Sequence, residues 1–163
     1  MDPDCAVCHS NLGERILGGP AGTSRVAEAE ELFRRATALC PDLRQVHFNL
    51  GTALMIEGRY SEAEAPLRRY LERAPKDGTG PQRLGHLYVL QKRYEEAIPL
   101  LRTARIQGQD MPYVRDDLAD ALQGRARELQ AKGSAAEAEP LLAESRRLQQ
   151  GAPLSDPPRA GRR

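Results

Sequence analysis

At 163 residues the chain is long enough to bury one domain core, and its composition, 40% hydrophobic but only 4% aromatic with no tryptophan, favours helix over strand. A net charge of +1 supplies no global attraction to nucleic acid or to an acidic membrane, and no apolar run approaches the ~20 residues that span a bilayer. The first residues, Met1-Asp2-Pro3-Asp4, are acidic and lack the apolar stretch of a secretory leader. The expected compartment is therefore the cytoplasm, or the periplasm if the sequence belongs to a longer exported protein. Arginine outnumbers lysine 21 to 3, which we read as the codon usage of a GC-rich bacterial genome before phosphate recognition.

Apolar periodicity and helix-breaking residues predict eight helices, at 4–17, 24–39, 43–57, 60–74, 78–91, 94–107, 112–132 and 135–149. The first carries His9-Ser10-Asn11-Leu12-Gly13. It is followed by Gly18-Gly19-Pro20-Ala21-Gly22-Thr23-Ser24, a loop in which Ser24 is the expected N-cap of the second helix. After Pro41-Asp42 the third helix repeats the opening phrase as His47-Phe48-Asn49-Leu50-Gly51. The fourth begins at Arg59-Tyr60-Ser61-Glu62-Ala63, which returns 34 residues later as Arg93-Tyr94-Glu95-Glu96-Ala97. Leu50-Gly51 returns as Leu84-Gly85, and Leu67 as Leu101. Backwards by the same step, Ala63 maps to Ala29, Leu67 to Phe33 and Pro75 to Pro41. Pro66, Pro99 and Pro140 fall early in second helices, where a missing backbone donor costs least, with Pro66 deep enough to bend its own. Glutamates spread along the helix faces read as solvated. The segment 151–163, with three prolines and three arginines, reads as a disordered tail.

Two steps depart from 34. From Gly13 to Gly51 the step is 38, an excess that fits the loop after Gly18. From Ala97 to Ala138 it is 41. The added seven residues are about two helical turns and nearly preserve the helix face, so one extended helix over about 112–132 is expected.

These residues resemble the tetratricopeptide repeat, W-x2-L-G-x2-Y, then A-x3-F, then P, on a helix-turn-helix unit. The second copy fits best: His47 in the tryptophan place, Leu50-Gly51, Leu54 in the tyrosine place, Ala63, Leu67 and Pro75. The third keeps Leu84-Gly85, Tyr88, Ala97 and Leu101, but has Gln109 where proline is due, with Pro112 three residues late. The resemblance implies an all-α, right-handed superhelix of antiparallel helix pairs. It comprises about four units near 4–41, 42–75, 76–111 and 112–150, within a repeat domain of 1–150. Neither helix of a unit buries its apolar stripe alone, so stacked neighbours complete the core. Pro3-Asp4 has the register of a repeat's end, from which we expect a C-terminal piece of a longer repeat protein. A short gene opening in a worn repeat is the alternative.

The resemblance implies a non-catalytic module that binds a protein or peptide segment in a concave groove, with no nucleic acid and no direct membrane insertion. The alternative is an assembly or scaffold array of a larger bacterial enzyme or membrane protein. Asn11, Asn49 and Arg83 hold equivalent places on three successive first helices, and Phe48, Thr52, Gln82 and His86 are expected to share the surface. An asparagine amide donates and accepts at once, and an arginine forks onto a carboxylate. Asn49 and Arg83 match two members of the family's carboxylate clamp. Ser10, Glu14 and Thr79 stand where it needs lysine, asparagine and lysine, so a general peptide groove is expected and a full clamp is not. The repeat consensus, as polar residues of the pattern, also accounts for Asn11 and Asn49.

Cys5-Ala6-Val7-Cys8-His9 has the form of a c-type haem attachment motif, in which the cysteines form thioethers and the histidine binds iron. The repeat already explains His9, because His47 holds the same place. A second alternative adds Cys40 to Cys5, Cys8 and His9 as a Cys3His zinc set. The expectation is no cofactor, no metal and three free thiols, buried or half-buried.

Overall fold

The computed structural model describes residues 5–20, 22–108 and 112–151. They form eight α-helices: α1 (Ala6–Leu17), α2 (Val26–Leu39), α3 (Arg44–Ile56), α4 (Tyr60–Arg73), α5 (Thr79–Leu90), α6 (Tyr94–Ile106), α7 (Pro112–Ala131) and α8 (Ala135–Gln149). A single 3₁₀ turn, Gly22–Arg25, precedes α2. Each matches its expected span to within two residues, and the extended seventh helix runs unbroken. Asp4, Gln109 and the tail from 152 lie outside the described residues.

Helices pair as α1–α2, α3–α4, α5–α6 and α7–α8, and each pair packs on the next. The tight approach within each of the first three pairs comes from a glycine on the first helix. A Cβ on Gly51 would sit 2.6 Å from Leu67 Cγ, one on Gly85 2.7 Å from Leu101 Cγ, and one on Gly13 2.6 Å from the Phe33 ring. Phe33, Leu67 and Leu101, fully buried, fill the space those glycines leave. In the fourth pair the glycine is Gly124, and it receives the Tyr94 ring of the preceding unit.

The turn between paired helices is also one device repeated. Gly58, Lys92 and Gly133 occupy equivalent places and have φ of 75°, 59° and 81°. The next residue closes back across the turn: Arg59 N–H to Leu54 O (2.9 Å), Arg93 N–H to Tyr88 O (2.8 Å), Ser134 N–H to Leu129 O (2.9 Å). This six-residue closure with a left-handed residue satisfies the last helical carbonyls. Lys92 adopts it without being glycine.

Three expectations need correcting. Ser24 does not cap α2. It lies inside the 3₁₀ turn, which winds directly into the helix, so Arg25 takes the N-cap place and makes no side-chain cap bond. Pro66, Pro99 and Pro140 sit at the sixth or seventh residue of their helices. That is beyond the four N–H groups that lack intrahelical partners, so each removes one backbone bond from a continuous helix.

The glutamates between units are not simply solvated. Arg59, at the α3–α4 turn, reaches back to Glu30 on α2 (2.7 Å) and sideways to Glu57 (2.8 Å), and Arg34 also holds Glu30 (2.7 Å). One repeat later, Arg93 reaches back to Glu64 on α4 (2.6 Å) while stacking 4.2 Å over the Tyr88 ring, and Arg68 holds the same carboxylate at 2.8 Å. The Tyr88 hydroxyl donates to Glu64 Oε1 (3.0 Å) and accepts from Arg68. Arg93's bond holds the Glu64 carboxyl below the usual range against the opposing pull of burial, with Tyr88 and Arg68 adding to it. At Glu30 burial pushes the pKa up, and the combined bonds and charges of Arg34 and Arg59 outweigh it, leaving it lowered. The Arg59–Glu30 and Arg93–Glu64 bridges each span two units, so they fix how one pair sits on the next.

Candidate functional site

The first helices stack on one another, α1 on α3, α3 on α5 and α5 on α7. The stacked seam has its own register. Asn11, Asn49, Arg83 and Asp117 are equivalent; so are Glu14, Thr52 and His86. The first member on one helix faces the second member on the helix before it, like rungs of a ladder.

Two rungs are closed. Asn49 Nδ2 donates to Glu14 Oε1 at 2.6 Å and to Ser10 Oγ at 3.4 Å, while its Oδ1 accepts from Gln45 Nε2 at 3.1 Å. Its amide is thus committed within the protein, and Asn49 is buried. At the other closed rung His86 Nδ1–H donates to both oxygens of Asp117 at 2.9 Å. Asp117 was not singled out in the sequence, although the 34-residue step from Arg83 points to it.

The middle rung is open. Thr52 gives its hydroxyl proton to Phe48 O (2.9 Å), on its own helix. Arg83 lies half-buried with its guanidinium 5.3 Å from the Phe48 ring centre, and among the described residues its buried Nε has no hydrogen-bond partner. Burial lowers the Arg83 pKa, partly offset by Tyr113 and Asp117. It stays charged all the same, since an arginine titrates far above neutral pH. Phe48 in turn packs on Tyr70, centroids 5.1 Å apart. The seam thus offers one cation on an aromatic platform between two self-satisfied rungs.

Of the other candidate residues, Asn11 is exposed, with no described helix before it, and Gln82 is buried on α5. His47 is a packing residue, its Nε2–H donating to Pro41 O at 2.7 Å. His9, in the same register, is also buried. Cys5 and Cys8 are not free thiols: they are joined as a disulfide, because the extended N-cap Cys5 and the first-turn Cys8 bring their Cα atoms to 5.2 Å. Cys40 is a free, half-buried thiol. Among the described residues no three His, Cys, Asp or Glu side chains group as a metal site requires. Cys5 and Cys8 are thus bonded to each other, and the adjoining His9 is buried.

The architecture is that of an all-α solenoid of stacked helical hairpins. Two family models described as tetratricopeptide repeat match residues 21–78 and 54–121, and together they span most of the helical array. The chain belongs to the tetratricopeptide repeat family, whose members serve as protein–protein interaction modules. Several solved structures of MamA share the fold. One of MamA MSR-1 has 23% identity and a TM-score of 0.67, covering 90% of this chain and 78% of that one. One of MamA from residue 41 onward, from Desulfovibrio magneticus RS-1, has 16% identity and a TM-score of 0.68, covering 91% and 77%. A third MamA crystal structure has 15% identity and a TM-score of 0.70, covering 92% and 81%. At these identities the likeness concerns the fold alone. A comparison with curated protein sequences finds no match. Among the described residues no helix is long and apolar enough to cross a membrane.

Proposed function

We propose that the chain captures an extended protein segment along the seam of its first helices, with no chemistry of its own, and that Arg83 anchors it through a carboxylate or backbone carbonyl. The observation that carries this reading is the open rung. In a seam whose neighbouring polar groups satisfy one another, Arg83 keeps a desolvated Nε–H without an acceptor among the described residues. A buried donor left unpaired costs about 1–3 kcal/mol, and a ligand oxygen removes that cost. Phe48 supplies a flat apolar floor beside it. Glu14 and Asp117 border the open rung with negative charge, so a ligand carrying one acceptor opposite Arg83 fits better than a run of acidic residues.

The test is an array of short extended peptides with acidic or isosteric amide residues at each position, read by fluorescence anisotropy on hits. Arg83→Met keeps the stem on Phe48 and removes the donors. It is expected to weaken hits carrying the acceptor by about 10-fold or more, the equivalent of one charge-assisted bond. Unchanged affinity across those hits would remove Arg83 from the site.

A further inference from the structure

The Cys5–Cys8 pair has no place in the repeat. By register the two cysteines correspond to Leu43 and Val46 of the second unit. There Leu43 is the N-cap of α3 without any side-chain bond, and Val46 is fully buried. Packing at these two positions thus asks for aliphatic groups. In the first unit no described helix covers them, and Cys5 and Cys8 are both half-exposed, with Val7 between them exposed. Neither haem nor zinc chemistry accounts for sulfurs bonded to each other. Cys40, the third cysteine, stands apart as a thiol.

The local geometry gives the pair a chemistry. Cys5 is the N-cap of α1, and the Cys8 backbone N–H donates to Cys5 Sγ at 3.1 Å. When the bond opens, a thiolate on Cys5 inherits that donor and the positive end of the helix dipole, the setting that favours a cysteine anion. We infer that Cys5 and Cys8 form a reversible dithiol–disulfide centre that exchanges electrons with an external dithiol, either a small molecule or the exposed dithiol of a reductase protein. In reduction the external thiolate attacks Cys8 Sγ. The Cys5–Cys8 bond breaks and its electron pair leaves on Cys5 Sγ, held by the Cys8 N–H. The second external thiol, as thiolate, then attacks the external sulfur of the mixed disulfide and expels Cys8. The external dithiol ends as a disulfide, having delivered two electrons, and its two protons end on Cys5 and Cys8. Re-oxidation by an external disulfide runs the same steps backwards.

The experiment uses the full chain, folded, in buffers poised from oxidised to reduced glutathione and separately in dithiothreitol without denaturant. Each sample is quenched in acid, unfolded, alkylated with N-ethylmaleimide and weighed intact. The expected result is one label at the oxidising end, on Cys40, and three at the reducing end. The two additional labels should appear together, on Cys5 and Cys8 by peptide mapping. Cys40→Ser should show the same transition from zero labels to two. Three labels at every poise would mean that the pair does not form. One label even in dithiothreitol would make it an inert staple. Labels tracking Cys40 in place of the pair would assign the chemistry elsewhere. Each of these three results would overturn the inference.

Discussion

The contact between Gly51 and Leu67 makes a prediction whose sign separates two kinds of physics. On an exposed helix, replacing glycine by alanine gains about 1 kcal/mol of helix propensity. Gly51 is inside α3, and an added Cβ would meet Leu67 Cγ and Cδ2 at 2.6 Å and Ala63 O at 3.5 Å. Leu67 is fully buried, and its Cγ is a branch point with no room to swing aside. Overpacking of this kind costs about 1–3 kcal/mol, so Gly51→Ala should lose about 1 kcal/mol net, or a few degrees in Tm for a chain of this size. Leu67→Ala alone should cost about 3 kcal/mol by opening a cavity. In the double variant the new methyl enters the vacated space, so the two losses should fall short of their sum by about 1 kcal/mol. Urea and thermal unfolding followed by far-UV circular dichroism measure all four corners of the cycle. If Gly51→Ala comes out more stable than the parent, propensity has won, and α3 and α4 do not meet through this glycine as described.

Three further outcomes follow from the repeated devices. Because Glu64 is held below the usual carboxylate range in the folded chain, its network contributes fully above about pH 4.5 and is lost as pH falls through the folded value. Glu64→Gln should therefore cost about 1 kcal/mol at pH 7 and progressively less at acid pH, checked by urea titrations at pH 7 and pH 3. Lys92 holds φ of 59° in a turn where Gly58 and Gly133 stand at equivalent places, so Lys92→Gly should raise stability by about 1 kcal/mol, read as a Tm increase. The reverse change, Gly58→Lys, should cost a similar amount although no atom lies near its missing Cβ.

Much of the fold was legible because repetition averages out local ambiguity. No single glycine announces a close helix approach, but Gly13, Gly51 and Gly85 opposite Phe33, Leu67 and Leu101 at a shared step do. The same register carried the extended α7 across its seven added residues. The N-terminus of α2 was misread because Ser24 suits a cap in isolation, whereas the 3₁₀ turn around it depends on the backbone path out of α1. Glu30 and Glu64 looked solvated because their partners lie 29 residues away on another unit, in turns whose geometry spacing alone does not supply. At the site, spacing found Asn49 and Arg83 as equivalents but could not tell a satisfied amide from a guanidinium whose Nε has no partner among the described residues. That difference lies in whether the previous helix presents Glu14 or Thr52. The disulfide escaped because three cysteines among helices suggest free thiols, and only the N-cap conformation of Cys5 brings its sulfur onto Cys8.

Arg83 ties stability to function, and the two should move in opposite directions. Asn49 and Asp117, its equivalents, bond to Glu14 and His86 on the neighbouring helix and strengthen the stack. At the place equivalent to Glu14 stands Thr52, whose hydroxyl is already spent, and Arg83 gains its contact with the Phe48 ring, worth about 0.5–1 kcal/mol, and the attraction of Tyr113 and Asp117. Against that stands the cost of desolvating a guanidinium with an unpartnered Nε, a larger quantity even for a half-buried group. A methionine keeps the apolar stem on Phe48 and drops the charge, so Arg83→Met should leave the unfolding free energy unchanged or raise it by up to about 1 kcal/mol while weakening capture of acceptor-bearing peptides. A loss of more than about 1 kcal/mol would mean that Arg83 holds the α3–α5 seam together. The open rung would then be structural, and the ligand would have to be sought on another face.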